Sequence, residues 1–107
     1  MKNKLMFILV LASNLTLAQS IKISGKLVDY KSNNPLPYSN VILKNHQDSV
    51  IAGCMTDNKG KFKIISNKKT TGKIEASSLG YKTKAITIGK DQLKADLGEI
   101  KMQRDSS

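Results

Sequence analysis

The feature that most restricts this chain is a two-residue alternation of apolar side chains, interrupted every eight to twelve residues by Gly, Asn, Asp or Pro. Successive side chains of an extended strand point to opposite faces, so this period describes strands with one face in a core and the other in water. In the run 21–29, Ile21, Ile23, Gly25 and Leu27 share one face, and Lys22, Ser24 and Lys26 share the other. The same parity points Val41 and Leu43 inward, then Val50, Ala52, Cys54 and Thr56. It also sets Phe62 and Ile64 against Lys61 and Lys63, and turns Ile74 and Ala76 inward. Lys82 and Lys84 share parity with Ile86 and Ile88, which requires either a bulge or a strand that runs from an exposed edge into cover.

Seven such runs, at about 21–29, 39–45, 49–56, 61–66, 72–79, 82–89 and 96–102, predict an all-β sandwich or barrel. The only helical signal is a single connecting turn over Asp91–Leu97, where Asp91 can cap Gln92-Leu93-Lys94-Ala95. Asp57-Asn58-Lys59-Gly60 reads as a hairpin with a bulge: Asp57 bonds back to the chain and Gly60 supplies a positive φ. Pro35 and Pro37 bracket Leu36 in a segment expected to run as an extended loop without ladder pairing.

The first residues obey a different logic. Lys2 and Lys4 precede an unbroken apolar run from Leu5 to Ala12, and Thr16-Leu17-Ala18 supplies small residues at a cleavage spacing. Residues 1–18 are therefore expected to be a signal peptide, with residues 19–107 as the mature domain. The apolar run is far shorter than the ~20 residues of a spanning helix, so no transmembrane span is expected. Cleavage would leave 16 basic and 8 acidic side chains, a formal charge of +8 against +10 for the whole chain. The lysines are scattered singly and not grouped with aromatics, a pattern that solvates strand faces and guards edges. Nucleic acid is not an expected partner, whereas acidic polymers of a cell envelope fit the charge.

No residue set for catalysis emerges. Cys54 is the sole cysteine and sits at inward parity, as a small apolar side chain would. His46 is the sole histidine, lies in a turn, and makes no zinc site by itself. A calcium loop at Asp57-Asn58-Lys59-Gly60 would place the cation Lys59 where an oxygen ligand belongs. Asp29, Asp48 and Asp57 each flank a turn, which accounts for them without a hydrolytic pair. No enzyme activity, metal or cofactor is expected. Two aromatic positions stay open between packing and recognition. Tyr81, after Gly80, either folds over the end of the sandwich or faces a partner, and Tyr38, after Pro37, has the same choice.

Four segments in order, Ile23-Ser24-Gly25-Lys26-Leu27-Val28-Asp29, Pro35-Leu36-Pro37-Tyr38-Ser39-Asn40-Val41, Thr56-Asp57-Asn58-Lys59-Gly60-Lys61-Phe62 and Leu79-Gly80-Tyr81, resemble the carboxypeptidase regulatory-like domain family. The resemblance runs from about Ile21 to Met102 and implies a seven-stranded, prealbumin-like sandwich of Greek-key topology. Asp57, Gly60, Phe62 and Gly80 are its structural turn and motif positions, while Tyr38 and Tyr81, on their own residue chemistry, are the candidates for partner binding. Asp96-Leu97-Gly98-Glu99-Ile100-Lys101-Met102 resembles the last strand of the copies found at the N-terminus of TonB-dependent outer-membrane receptors. A transmembrane barrel needs at least about eight strands of about ten residues, more than this chain can hold. The resemblance implies a noncatalytic interaction or scaffold module of the periplasm or outer membrane, whose partner is an outer-membrane or other envelope protein. The alternatives are the N-terminal extension of a TonB-dependent receptor and a secreted module that binds glycan or peptide.

Overall fold

The computed structural model of the chain describes residues 21–66, 72–89 and 94–105. The expected signal peptide therefore lies outside the described residues. Seven strands form among them: β1 (Ile21–Asp29), β2 (Asn40–Asn45), β3 (Val50–Met55), β4 (Lys61–Ser66), β5 (Gly72–Ser77), β6 (Lys84–Ile88) and β7 (Lys94–Met102). They make a three-stranded sheet in the order β4-β1-β7 and a four-stranded sheet in the order β3-β2-β5-β6. The expected all-β, two-layered sandwich is the architecture found.

The inward residues of both sheets meet in one core, which includes Ile21, Ile23, Leu27, Val41, Leu43, Phe62, Ile64, Ile74, Ile88, Ile100 and Met102. Alternation is cleanest in β4, where Lys61, Lys63 and Ile65 are exposed and Phe62 and Ile64 are buried. Phe62 also explains a glycine in the middle of β1, because a Cβ on Gly25 would lie 2.8 Å from the Phe62 ring. Beside Gly25, the parallel β1–β7 ladder shifts register between Ser24 and Lys26.

Several local expectations change in the assembled fold. Val50 is 60% exposed instead of buried, because the β2–β3 ladder pairs Leu43 with Ala52 and then Lys44 with Val50. The extra residue, Ile51, makes a bulge that rotates Val50 to the outward face. Asp57–Gly60 closes a tight turn, but not a hairpin within one sheet: β3 and β4 belong to different sheets. The chain turns there and its two arms diverge across the core. Lys94–Leu97, expected in a helical turn, instead begin β7, where Lys94, Ala95 and Asp96 pair with Lys22, Ile23 and Ser24. Helix propensities differ by only ~0.7 kcal/mol per residue, too little to outweigh a strand pairing that covers the core. Asp91–Leu93, the first part of that expected turn, lie outside the described residues.

The proline loop pairs more than its composition implies. Pro35 bridges to Val28, while Asp29 N–H donates to Asn34 O and Leu36 N–H donates to Leu27 O, both at 2.9 Å. Its neighbours carry the donor that the proline nitrogen lacks. In β6 the parity conflict resolves without a bulge, since Gly72–Ala76 pairs regularly with Ile88–Lys84. The strand starts at an exposed edge with Lys84 and ends with Ile88 buried.

Candidate functional site

At one end of the sandwich, Asp29 closes β1 with its side chain only 2% exposed. A carboxylate in such a place needs donors for both oxygens. Oδ1 accepts from the backbone N–H groups of Lys31 at 2.8 Å and Ser32 at 3.1 Å, in the manner of an aspartate that caps a turn. Oδ2 accepts from Tyr81 Oη–H at 2.7 Å and from Arg104 Nε–H at 2.9 Å. The Tyr81 hydroxyl contributes most to holding the Asp29 carboxyl far below the usual carboxylate range, followed by Ser32 N–H, Arg104 and Lys31 N–H. The same hydrogen bond to Asp29 pushes the Tyr81 phenol up.

Backbone pairing locks this clamp. Tyr81 bridges to Arg104, Lys82 N–H donates to Gln103 O at 2.8 Å, and Asp105 N–H donates to Gly80 O at 2.9 Å. Gly80 takes φ 86° to turn the chain into this pairing. Tyr81, one of the two partner-binding candidates, is half-buried and packs over the end of the core, the packing alternative of the two open to it. Sequence reasoning missed Arg104. The available signal was a solitary arginine among many lysines, since a planar guanidinium suits a buried carboxylate better than an ammonium does.

Tyr38 has the opposite environment. It is 67% exposed and holds φ 57°, a left-handed conformation that a bulky side chain rarely adopts. The surrounding hydrogen bonds impose that conformation. Tyr38 N–H donates to Thr56 O at 3.0 Å, Ser39 N–H donates to Thr56 Oγ1 at 2.8 Å, and Thr56 Oγ1–H donates to Leu36 O at 2.7 Å. Thr56, 1% exposed, is thus the post that ties the proline loop to the end of β3.

Beyond Thr56, Asp57 Oδ1 accepts from Lys59 N–H and Lys61 N–H, both at 2.9 Å, and these amides hold its carboxyl below the ordinary range. Gly60 comes next in the turn with φ 76°, and Phe62 enters the core. Asp48 has a separate task in the β2–β3 turn, where it is ion-paired to Lys44 at 3.3 Å and Lys73 at 3.4 Å. That turn is organised by Asn45, whose Oδ1 accepts from Gln47 N–H and Ser49 N–H. His46 is exposed within it. Burial pushes the Cys54 thiol up, against an opposing contribution from Lys63 N–H. Among the described residues, no group of three or more His, Cys, Asp or Glu is placed to hold a metal ion.

Two surfaces could take a ligand. The first runs along β3, an edge strand whose side chains include no charge, with Val50 60% and Met55 58% exposed. Tyr38 is adjacent through its bond to Thr56. A groove of about 570 Å³ opens beside β3, with Met55 on one wall and three lysines (Lys26, Lys61, Lys63) and three carboxylates (Asp57, Asp96, Glu99) in its lining. The second is a cleft of about 520 Å³ where the start of β6 meets the end of β7, with Lys82, Lys84 and Lys101 in its lining.

Comparison with curated proteins returns no match. Among solved structures, the chain resembles a 9R-lipoxygenase from Cyanothece PCC8801 over 79% of its length, at 18% identity and a TM-score of 0.55. It resembles the Bacillus anthracis TIE protein over 79%, at 20% identity and a TM-score of 0.54. It resembles the group B streptococcus pilus 2b backbone protein over 80%, at 14% identity and a TM-score of 0.52. The chain spans 17%, 17% and 42% of those proteins respectively, so the likeness is one of sandwich fold. The CarboxypepD_reg-like domain matches residues 23–105, which include the Asp29 clamp, the Thr56 post and the Asp57–Gly60 turn. The chain therefore belongs to the CarboxypepD_reg-like domain family and has a two-sheet β-sandwich fold.

Proposed function

We propose that this chain is an exported interaction module of the cell envelope that takes an extended segment of an outer-membrane or other envelope protein alongside β3. The observation that carries this reading is the contrast between the edge strands. β4 presents Lys61 and Lys63, β6 presents Lys84, and β7 presents Lys94, Asp96, Glu99 and Lys101, whereas β3 reads Val-Ile-Ala-Gly-Cys-Met. Charged side chains discourage a foreign strand from pairing with an edge, and an edge without them is a template for strand addition. Tyr38, exposed and held in a costly backbone conformation, extends this surface. The adjoining groove carries charge of both signs, Lys26, Lys61 and Lys63 beside Asp57, Asp96 and Glu99, so the apolar edge and not net charge selects the segment.

Site-specific photo-cross-linking in intact cells tests the proposal. A photoreactive residue at Val50 or Met55 is expected to yield one discrete adduct whose partner peptide comes from an envelope protein. The same residue at Thr87, on the opposite edge of the sheet, is expected to yield none. An adduct of twice the chain mass would mean self-association, and equal adducts from both edges would mean indiscriminate contact; either result overturns β3 as the docking edge. Export rests on the leader-like pattern of residues 1–18 and is tested by the N-terminus of the secreted product, expected at Gln19.

A second reading, an N-terminal extension of a TonB-dependent receptor, is favoured by the resemblance of Asp96–Met102 to the last strand of those copies. A receptor reading frame directly downstream would support it.

A further inference from the structure

The cleft between β6 and β7 uses no residue of the β3 surface, so a ligand bound there is independent of strand docking. Its lining residues are Tyr30, Lys82, Thr83, Lys84, Lys101 and Gln103. Three lysines thus line it, with no carboxylate among the lining residues. Tyr30 follows Asp29 in the chain, but both Asp29 oxygens are already engaged by four donors, and Glu99 and Asp105, each two residues from a lining residue, are not part of the lining. A fourth cation stands at the rim, with Lys31 Nζ 5.9 Å from the centre of the Tyr30 ring. Such a concentration of like charge repels itself and is relieved when an anion binds.

The walls are also preorganised. Lys82 N–H is bonded to Gln103 O, Tyr30 N–H donates to Met102 O at 3.0 Å, and Lys84 Nζ donates to Lys101 O at 3.0 Å. A ligand therefore does not have to order the backbone that receives it. The remaining chemistry selects the class of anion. Tyr30, 41% exposed, offers an aromatic surface, and Thr83 and Gln103 offer neutral hydrogen-bonding groups suited to hydroxyls. No Leu, Ile, Val, Met or Phe lines the cleft to receive an acyl chain. The volume of about 520 Å³ falls within the ~300–1,000 Å³ typical of small-ligand sites.

We propose that this cleft binds an acidic oligosaccharide, with the carboxylates of its uronate residues met by Lys82, Lys84 and Lys101 and a sugar ring laid against Tyr30.

Titration of the protein with tetragalacturonic acid, monitored by calorimetry and by amide chemical shifts, tests this. Saturable binding is expected, with shifts centred on Tyr30, Lys82–Lys84 and Lys101–Gln103 and affinity that falls as salt rises. The double variant Lys82→Ala/Lys101→Ala is expected to bind roughly tenfold more weakly. Lys22→Ala/Lys94→Ala removes the same charge from exposed positions on β1 and at the start of β7 and is expected to change affinity by less than about twofold. All four substitutions are at exposed side chains, and circular dichroism checks that both variants remain folded. The proposal fails if tetragalacturonic acid does not bind, if its methyl ester binds equally well, or if the two double variants lose affinity equally. Binding of inorganic phosphate or of anionic phospholipid vesicles without binding of the uronate would also overturn it.

Discussion

Gly60 is the residue whose replacement the structure evaluates most fully. Its φ of 76° costs any L-residue about 1–2 kcal/mol. A Cβ there would stand 2.6 Å from Leu27 O, 3.1 Å from Leu36 N and 3.2 Å from Pro35 Cβ. The first distance is shorter than a real carbon tolerates, and its partner is backbone, so the turn must move. Movement strains the bond that holds the turn to β1, Leu27 N–H to Gly60 O at 2.8 Å, and the neighbouring one that holds the proline loop to the same strand, Leu36 N–H to Leu27 O at 2.9 Å. Loss of one such buried bond costs about 1–3 kcal/mol. Gly60→Ala should therefore destabilise the domain by about 2–5 kcal/mol, a large share of the ~5–15 kcal/mol that a domain possesses. Two internal controls separate the causes. Gly80 and Gly98 also have positive φ, 86° and 68°, but a Cβ at either meets nothing within 4 Å. Alanine at those sites should cost only the conformational ~1–2 kcal/mol, and asparagine, which tolerates the left-handed region, should cost less still. Asparagine at Gly60 should recover little, because the clash with Leu27 O remains. Urea unfolding monitored by far-ultraviolet circular dichroism gives each value, and thermal unfolding should show Gly60→Ala melting about 10 °C or more below the parent. The reasoning is refuted if Gly60→Ala loses no more stability than Gly80→Ala, or if Gly60→Asn restores it.

The polar contacts and the burial of Cys54 set four further outcomes. Thr56→Val keeps the side-chain shape but orphans Ser39 N–H and weakens the bonding of Leu36 O, so urea unfolding should show a loss of about 2–4 kcal/mol. Asp29 has a depressed folded pKa, so its contribution is fully present above the unfolded value of about 3.9 and is lost progressively as pH falls below it; Asp29→Asn should flatten the acid limb of a stability–pH profile below about pH 5. Tyr81 has a raised folded pKa, so its contribution is present below about pH 10 and fades as pH rises beyond; Tyr81→Phe should remove that alkaline limb. Because burial raises its pKa, Cys54 should react with iodoacetamide at pH 8 more slowly than a free cysteine peptide, and unfolding in urea should abolish the difference.

Much of the fold was legible in the chain because a period of two is a local property. Ile21, Ile23, Leu27, Val41, Leu43, Phe62, Ile64, Ile74 and Ala76 occupy the core positions that alternation assigns them. Gly60 and Asp57 were legible for a related reason: a turn is decided by the φ values and side-chain oxygens of four or five consecutive residues. Pairing between distant strands has no such signature. Nothing near Val50 announces that the ladder skips Ile51 and turns Val50 outward, nothing near Asp57 says that its two arms enter different sheets, and the good helix formers of 94–97 do not reveal β1 waiting to pair with them.

The sequence by itself determined an alternating, glycine-punctuated chain whose apolar faces are buried in a β-sandwich or barrel, and it placed the residues that carry the resemblance to the family. The tertiary structure alone decided which polar residues meet. Asp29 and Tyr81 are 52 positions apart and Asp29 and Arg104 are 75, so only the assembled sandwich brings their hydrogen-bonding groups together. The same holds for the lysines of β6 and β7. Each reads as ordinary solvation along its own strand, and they converge on one cleft because two edges from different sheets close on the same end of the core.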